Sequence, residues 1–129
     1  MKAILAVNNL GFIGLKGGLP WRSSEDFKHF KRMTLGKRLL VGHNTFHTLP
    51  HLGDRVVVLD ERPTLEVNDI DWCIGGKKTY EKYAHLITEL HISHINDNSV
   101  GDTMFPDFSK LNPSCVIFNY YFKVNTPKS

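Results

Sequence analysis

The chain of 129 residues has the length of one domain, and its composition argues against several classes of protein. Hydrophobic residues make up 41% and charged residues 22%, which fits neither intrinsic disorder nor a coiled coil. No apolar run approaches the ~20 residues that a membrane-spanning helix needs. The net charge of +3 is too small and too evenly spread to predict a nucleic-acid-binding face. We therefore expect one globular domain over residues 1–129.

Neither the cysteines nor the first residues point to secretion. Cys73 and Cys115 lie in short apolar stretches, so each is predicted to be a buried free thiol rather than half of a disulfide. The apolar run after Met1 is too short for a signal peptide and has no cleavage site. These features predict a cytoplasmic protein, and the small size is typical of a viral or otherwise streamlined source.

Short apolar runs alternate with helical patterns along the chain. The predicted strands are Ala3–Val7, Leu39–Val41, Val56–Leu59, Leu65–Val67, Trp72–Ile74 and Leu90–Ile95. The predicted helices are one from Ser23 to Gly36, a short one after Gly42 that Pro50 stops, and one over Lys78–His85. The segments Cys115–Phe118 and Tyr120–Val124 are predicted to form a hairpin or a bulged antiparallel pair. Such alternation predicts an α/β sheet with helices on both faces.

Two predicted strand-to-helix turns are suited to binding an anion. One is Gly42-His43-Asn44-Thr45, and the other is Gly75-Gly76-Lys77-Lys78-Thr79. Helix starts carry partial positive charge and unpaired N–H groups, so phosphates bind there. Neither turn matches a known phosphate-binding motif, and each alone also fits an ordinary glycine turn. Two such turns at neighbouring strand ends favour a phosphate-bearing ligand across the carboxyl edge of the sheet.

Asp26 has two interpretations that its spacing does not separate. It borders the apolar face of the first helix through Phe27 and Phe30, where burial would make its carboxyl group a proton donor or a ligand anchor. It also stands three residues after Ser23, the spacing of a capping box that needs the acid only for the helix end. Both interpretations stay open at this point.

His43, His47 and His51 follow one another at four-residue spacing, which would align three zinc ligands on one continuous helix. Pro50 interrupts that helix before His51, and no cysteine or acid completes the pattern nearby. We therefore predict no metal site.

The motifs of the chain, taken in order, resemble those of dihydrofolate reductase over about residues 1–108. The matching residues are Ala6, Ile13-Gly14, Leu19-Pro20-Trp21, Asp26-Phe27, Phe30-Lys31-Arg32-Met33-Thr34, Gly42-His43-Asn44-Thr45, Arg55, Ile74-Gly75-Gly76-Lys77-Lys78-Thr79-Tyr80-Glu81, Ser93-His94-Ile95 and Gly101-Asp102-Thr103-Met104-Phe105-Pro106-Asp107-Phe108. The resemblance implies a mostly parallel central sheet flanked by helices, with an antiparallel C-terminal edge. It also implies reduction of 7,8-dihydrofolate to 5,6,7,8-tetrahydrofolate by hydride from NADPH, a step of one-carbon metabolism.

The resemblance further implies roles for individual residues. The catalytic residues would be Asp26, Trp21 and Ser93, with Asp26 supporting protonation of the pterin at N5 through water. The substrate-binding residues would be Ile4, Phe27, Phe30, Arg55, Ile74 and Tyr80, with Arg55 clamping the glutamate carboxylate. The cofactor-binding residues would be Ala6, Ile13, Gly14, Leu19, Gly42, His43, Asn44, Thr45, Gly75, Gly76, Lys77, Lys78 and Thr79. Gly75-Gly76 would form the non-proline cis peptide of the family, and residues 15–19 its mobile lid.

The chain departs from the family around the adenosine. The segment between Asp60 and Asp71 is shorter than in most relatives, His43 stands where relatives often have arginine, and Asp60 brings an acid near the 2′-phosphate. NADPH is therefore implied by the resemblance alone, and NADH stays an alternative. The trimmed C-terminal segment also predicts that loop-to-loop control of the lid is absent.

Two functional hypotheses follow. The first is a reductase, expected to be a monomer whose partners are dihydrofolate and antifolate-type small molecules, without nucleic acid or a membrane. The alternative is a folate- or nucleotide-binding or structural protein with the same fold and little catalysis.

Overall fold

The computed structural model describes residues 1–48, 53–60 and 68–125. Its strands are β1 (Lys2–Asn8), β2 (Phe12–Gly14), β3 (Arg38–Val41), β4 (Val56–Leu59), β5 (Trp72–Cys73), β6 (Glu89–Asn96), β7 (Thr103–Met104) and β8 (Val116–Lys123). Its helices are α1 (Ser24–Thr34), α2 (His43–Phe46) and α3 (Lys77–Tyr83), and a 3₁₀ turn over Ala84–Leu86 extends α3. The predicted strand Leu65–Val67 and the predicted stop at Pro50 lie outside the described residues.

A parallel sheet forms the centre of the described fold. Its strand order is β4-β3-β5-β1-β6-β8, and every neighbouring pair is parallel. β2 and β7 pair with each other in a separate antiparallel sheet. The predicted α/β fold with a mostly parallel central sheet is therefore confirmed.

Alternate residues of the central strand β1 bury opposite faces of the sheet. Ala3 and Leu5 belong to a core cluster with Tyr80 of α3, whereas Ile4 packs in a second cluster with Phe30 of α1. Side chains of a strand alternate between the two faces of the sheet, so a strand that is covered on both faces needs apolar residues at successive positions. The prediction of helices on both faces of the sheet is therefore confirmed.

The C-terminal edge differs from the prediction of an antiparallel pair. Residues 116–123 form one continuous strand, β8, which pairs parallel with β6 from Glu89↔Val116 to Asn96↔Lys123. A parallel neighbour needs a long crossover connection, and residues 97–115 supply one, returning the chain to the amino end of β6. There the Val116 N–H donates to the Thr88 carbonyl at 3.0 Å. The prediction was wrong because Asn119-Tyr120 does not turn and continues the ladder.

Both cysteines are free thiols, as predicted, but they differ in burial. Cys73 is completely buried, and burial raises the pKa of its thiol to about 12. Cys115 is half-buried, and burial also raises the pKa of its thiol.

Among the described residues, no helix combines the length and the apolar character needed to cross a membrane.

Buried histidines fill the interface between α1 and the β6–β8 edge. The ring of His29 lies 4.2 Å from the ring of Tyr120, whose hydroxyl lies 2.9 Å from Nδ1 of His91. Nε2 of His91 lies 3.0 Å from Oε1 of Glu89. Within the described residues, Nε2 of His29 is buried and has no hydrogen-bond partner. Burial lowers the pKa of His29, and Coulombic interactions with Arg32 and His91 lower it further.

Replacing His29 with phenylalanine should stabilise the protein and flatten its response to acid. Phenylalanine keeps the ring contacts and removes a buried polar atom, a gain of about 1 kcal/mol in free energy of unfolding. Because the folded pKa of His29 lies below 6.5, the unfolded chain binds more protons below that pH, and wild-type stability falls as the pH drops. Urea unfolding at neutral and mildly acidic pH would measure both effects. The exposed histidine variant His85→Gln is the control, and an equal acid response in His29→Phe and wild type would contradict this explanation.

Candidate active site

Asp26 lies in the first turn of α1 and is almost completely buried, with 9% of its surface exposed. The hydroxyl of Ser23 caps the helix, because it accepts a hydrogen bond from the Asp26 backbone N–H at 3.3 Å. The Asp26 carboxyl group instead hydrogen-bonds the side chain of Ser93 on β6. Burial raises the pKa of Asp26, and the Ser93 hydrogen bond opposes that rise. The Ser23 cap and the buried acid are thus separate features of one turn, and the role of Asp26 as proton donor or ligand anchor stays a prediction.

Apolar residues from the sheet pack against α1 one turn after Asp26. Ile4 of β1, Ile74 after β5 and Phe30 of α1 pack in one core cluster. The Tyr80 hydroxyl donates to the Ile4 carbonyl at 2.5 Å, and that carbonyl keeps a second lone pair for another donor. Burial raises the pKa of Tyr80 well above its usual value, and the negative charge of Asp26 adds to the effect. Four of the predicted substrate-binding residues are thus brought together. Ile4, Phe30 and Ile74 share one cluster, and Tyr80 contacts Ile4 and lies near Asp26.

Two further predicted residues adjoin the same region. Ala6 of β1 lies directly opposite Ser93 of β6 in the parallel ladder, and Ser93 is 1% exposed. Trp21 is 7% exposed, and its indole Nε1–H is buried without a hydrogen-bond partner among the described residues. A buried indole N–H usually has a partner, so this donor marks a place where a polar ligand group fits.

The two predicted anion-binding turns meet at the carboxyl ends of β3 and β5. The Gly42 N–H donates to the Gly75 carbonyl at 2.5 Å, and the Gly75–Gly76 peptide bond is cis, as the resemblance implied. A Cβ atom on Gly42 would lie 2.8 Å from Oγ1 of Thr79, and one on Gly76 would lie 2.8 Å from Oγ1 of Thr45. Each turn therefore packs against the other at a distance that only glycine allows.

Charges near these turns include two cations and a neutralised acid. Lys77 is half-buried and Lys78 exposed in the first turn of α3. Asp60, expected to repel a 2′-phosphate, accepts hydrogen bonds from Nζ of Lys82 and from the Tyr83 hydroxyl, both at 2.9 Å. The same hydrogen bond to Asp60 raises the pKa of Lys82. The sequence did not reveal these partners, because they come from α3, about twenty residues later in the chain.

His43, the first residue of α2, contacts His47, which directly follows that helix. Nε2 of His43 lies 3.0 Å from Nε2 of His47, and both side chains are exposed, as is Asn44. No three histidine, cysteine or acidic side chains are grouped as metal ligands in the part of the chain that the structure describes. His51, the third member of the series, lies outside that part.

The predicted lid is attached to the loop that contains β7. Ile13 and Gly14 lie on β2, and the Gly14 carbonyl accepts a hydrogen bond from the Asp102 N–H at 2.9 Å. The Lys16 N–H donates to Oδ2 of Asp102 at 2.8 Å, and this bond lowers the pKa of that carboxyl group. Leu19 is 52% exposed. The lid is therefore joined to the β7 loop through Asp102, and the absence of lid control by the trimmed C-terminal segment stays a prediction.

Arg55 lies beside the C-terminal half of α1. Its Nε donates to Oγ1 of Thr34 at 2.8 Å, and its Nη2 donates to the Lys31 carbonyl at 2.5 Å. Phe27 is 39% exposed, and Nζ of Lys31 lies 5.0 Å from its ring centre. Arg55 and Phe27 thus lie on the solvent side of α1, the helix that also contains Asp26.

Sequence reasoning missed a groove next to Arg55. A space of about 520 Å³ is lined by Lys28, Lys31, Arg32, Leu35 and Arg55. Lys28, Lys31 and Arg32 lie on one face of α1 and Leu35 directly follows the helix, which gives the spacing i, i+3, i+4 and i+7. That spacing is visible in the sequence and could have predicted the surface.

Comparison with known proteins gives the family of this chain. A family model described as dihydrofolate reductase matches residues 1–73 and 64–117. The type 3 dihydrofolate reductase of Salmonella typhimurium is 31% identical over 84% of this chain and 78% of its own length. The dihydrofolate reductase of Buchnera aphidicola subsp. Schizaphis graminum is 27% identical over 93% of this chain and 84% of its own length.

A solved structure shows the same fold. Dihydrofolate reductase from Enterococcus faecalis, complexed with NADP(H) and RAB-propyl, aligns with a TM-score of 0.71 and 25% identity, covering 84% of this chain and 77% of that one. The family model spans most of the chain. The chain therefore belongs to the dihydrofolate reductase family, the oxidoreductases that reduce dihydrofolate.

Proposed function

We propose that this enzyme reduces 7,8-dihydrofolate with NADPH as the hydride donor and with Asp26 supporting protonation of the pterin at N5. The observation that carries this proposal is the environment of Asp26. Asp26 is buried and is paired with Ser93 beneath α1, whereas the nearly buried side chain of Asp60 is engaged by Lys82 and Tyr83. A carboxyl group whose pKa is raised by burial holds a proton closer to neutral pH than an exposed one does.

The surroundings of Asp26 support binding of a flat, polar ring. Ile4, Ile74 and Phe30 provide apolar contacts, the Ile4 carbonyl keeps acceptor capacity, and the Trp21 N–H is an available donor. In this arrangement the carboxylate would bind the amino group and N3 of the pterin. A water held between Trp21 and the ring would deliver the proton to N5, while C6 accepts the hydride. Arg55 would bind the carboxylate of the glutamate.

The residues at the carboxyl edge fit a dinucleotide. Gly42 and Gly76 let the two turns pack closely against each other at this edge, and Lys77 and Lys78 bring positive charge to the turn that would hold the pyrophosphate. Asp60 accepts hydrogen bonds from Lys82 and Tyr83 of α3, so it should repel the 2′-phosphate less strongly than its sequence position suggests. When bound, NADPH supplies the hydride. Ala6, Ile13, Gly14 and the lid up to Leu19 would enclose its nicotinamide and exclude bulk water.

The decrease in absorbance at about 340 nm, with dihydrofolate and either NADPH or NADH, tests this function. We expect a decrease that depends on dihydrofolate and is faster with NADPH. Binding of folate by the folded protein without any decrease would contradict the proposal and favour the binding-protein hypothesis. A faster reaction with NADH would contradict the cofactor assignment alone.

We also expect the protein to be cytoplasmic and monomeric.

A further inference from the structure

The two imidazole rings at α2 are placed like a pair of metal ligands. His43 and His47 are four residues apart, and both side chains are exposed. Their Nε2 atoms lie 3.0 Å apart, and the planes of the two rings are inclined at 81°. Residues at i and i+4 are neighbours on a helix surface, and this spacing lets two histidines bind one metal ion. The two nitrogens therefore face one small space at the surface.

The backbone of this turn fixes the spacing of the two rings. The Phe46 N–H donates to the Gly42 carbonyl at 3.0 Å, and the Thr48 N–H donates to the Thr45 carbonyl at 3.1 Å. His47 follows α2 with helical angles, φ −65° and ψ −15°, so the turn continues through it. Because the backbone is already in place, little conformational entropy is lost when an ion binds.

The distance between the two nitrogens favours one class of ion. Metal–imidazole bonds of about 2.1 Å place two ligands about 3.0 Å apart at a right angle and about 3.4 Å apart in a tetrahedron. The observed 3.0 Å matches the right angle. Square-planar and tetragonal nitrogen sites are typical of Cu²⁺ and Ni²⁺, whereas Mg²⁺ and Ca²⁺ prefer oxygen ligands. The pair therefore fits Cu²⁺ or Ni²⁺ better than Zn²⁺ or Mg²⁺.

The contact between the rings already uses a nitrogen lone pair. One Nε2 donates its hydrogen to the other, since two protonated Nε2 atoms at this distance would direct two hydrogens at each other. A divalent ion would replace that single proton and bind the lone pairs of both rings. Only Nε2 of each ring is needed, so binding makes no demand on the other contacts of His43.

We propose that His43 and His47 form an exchangeable site for a divalent transition-metal ion of the Cu²⁺ and Ni²⁺ class, with water at the remaining positions. The prediction of no metal site concerned three zinc ligands on one continuous helix, and a pair of ligands makes a weaker site of a different geometry. The described residues group no third histidine, cysteine or acid with this pair. The site goes beyond the proposed function, in which His47 has no role.

Isothermal titration calorimetry of the full chain with NiCl₂, in a buffer that does not chelate metals, tests the site. We expect binding of about one ion per chain, weakened about 10-fold or more in His47→Gln, because the variant loses the advantage of a second ligand held close to the first. His43→Gln should show the same loss. His85→Gln, which removes another exposed histidine, should keep the wild-type affinity. Mg²⁺ should not displace Ni²⁺.

Equal affinity for Ni²⁺ in the wild type and in both single variants would overturn the proposal, as would displacement by Mg²⁺. A loss of affinity in His51→Gln or His85→Gln as large as that in His47→Gln would also overturn it, because a ligand outside the pair would then hold the ion.

Melting temperatures separate loss of the site from loss of the fold. Without Ni²⁺, His47→Gln should melt close to the wild type, because the side chain is exposed. An ion that binds only the folded chain raises the melting temperature. We therefore expect Ni²⁺ to raise it in the wild type and in His85→Gln, and to raise it much less in His47→Gln. An equal rise in all three proteins would contradict binding at this pair.

Discussion

Replacing Asp26 with asparagine should lower turnover of dihydrofolate by about 100-fold or more at neutral pH, which is the usual contribution of a positioned acid. The amide of asparagine has the size of the carboxyl group and keeps a hydrogen bond to Ser93. It has no carboxyl proton to supply, and it carries no negative charge. Protonation of the pterin then depends on the solvent, so the remaining rate should rise steadily as the pH falls. Steady-state kcat measured across pH with saturating NADPH tests this, and an unchanged rate would contradict the assigned role.

The same variant should unfold at higher urea concentration than the wild type. Burial raises the folded pKa of Asp26 above 3.8, so the charged form destabilises the fold at neutral pH, and the wild type recovers that stability as the pH falls through the raised value. Asparagine removes the charge, and we expect a gain of about 1 kcal/mol at neutral pH that shrinks on acidification. Glu25→Gln is the matched control, because Glu25 precedes Asp26 in the same turn and is exposed. It should leave both turnover and stability nearly unchanged.

Local sequence patterns predicted the parts of the fold that local physics determines. The apolar run from Ala3 to Val7 predicted β1, and the serine at position 23 predicted the start of α1. The two glycine turns were predicted as neighbours, and the Gly42–Gly75 hydrogen bond confirms it. In each case the property resides in a few adjacent residues, so one segment is enough to find it.

Features that depend on distant segments were not predictable in the same way. The direction of β8 depends on where the long connection after β6 returns, and no residue within β8 specifies it. Asp60 appeared as a repulsive charge because its partners, Lys82 and Tyr83, are brought to it by the packing of α3. The burial of His29 follows from the position of Tyr120 on β8, and so it could not be expected before β8 was placed.

Replacing Gly42 with alanine should raise the KM for NADPH by about tenfold or more, with a smaller effect on the KM for dihydrofolate. The φ of Gly42 is −73°, which alanine adopts freely, so the effect comes from the new methyl group alone. That group would lie 2.8 Å from Oγ1 of Thr79 and 3.3 Å from the Gly76 nitrogen. To relieve these contacts the two turns must separate, and overpacking of this kind costs about 1–3 kcal/mol in free energy of unfolding.

Two further variants separate this mechanism from a general loss of stability. A Cβ atom on Gly18 would have the Leu15 carbonyl at 3.7 Å, an ordinary contact, so Gly18→Ala should change the KM for NADPH little. Adding Thr79→Ser to Gly42→Ala should restore part of the affinity, because serine lacks the methyl group that restricts the threonine rotamer and can turn its hydroxyl away. Initial rates at varied NADPH and urea unfolding of all three variants measure these effects. Normal NADPH affinity in Gly42→Ala would show that the contact between the turns does not shape the cofactor site.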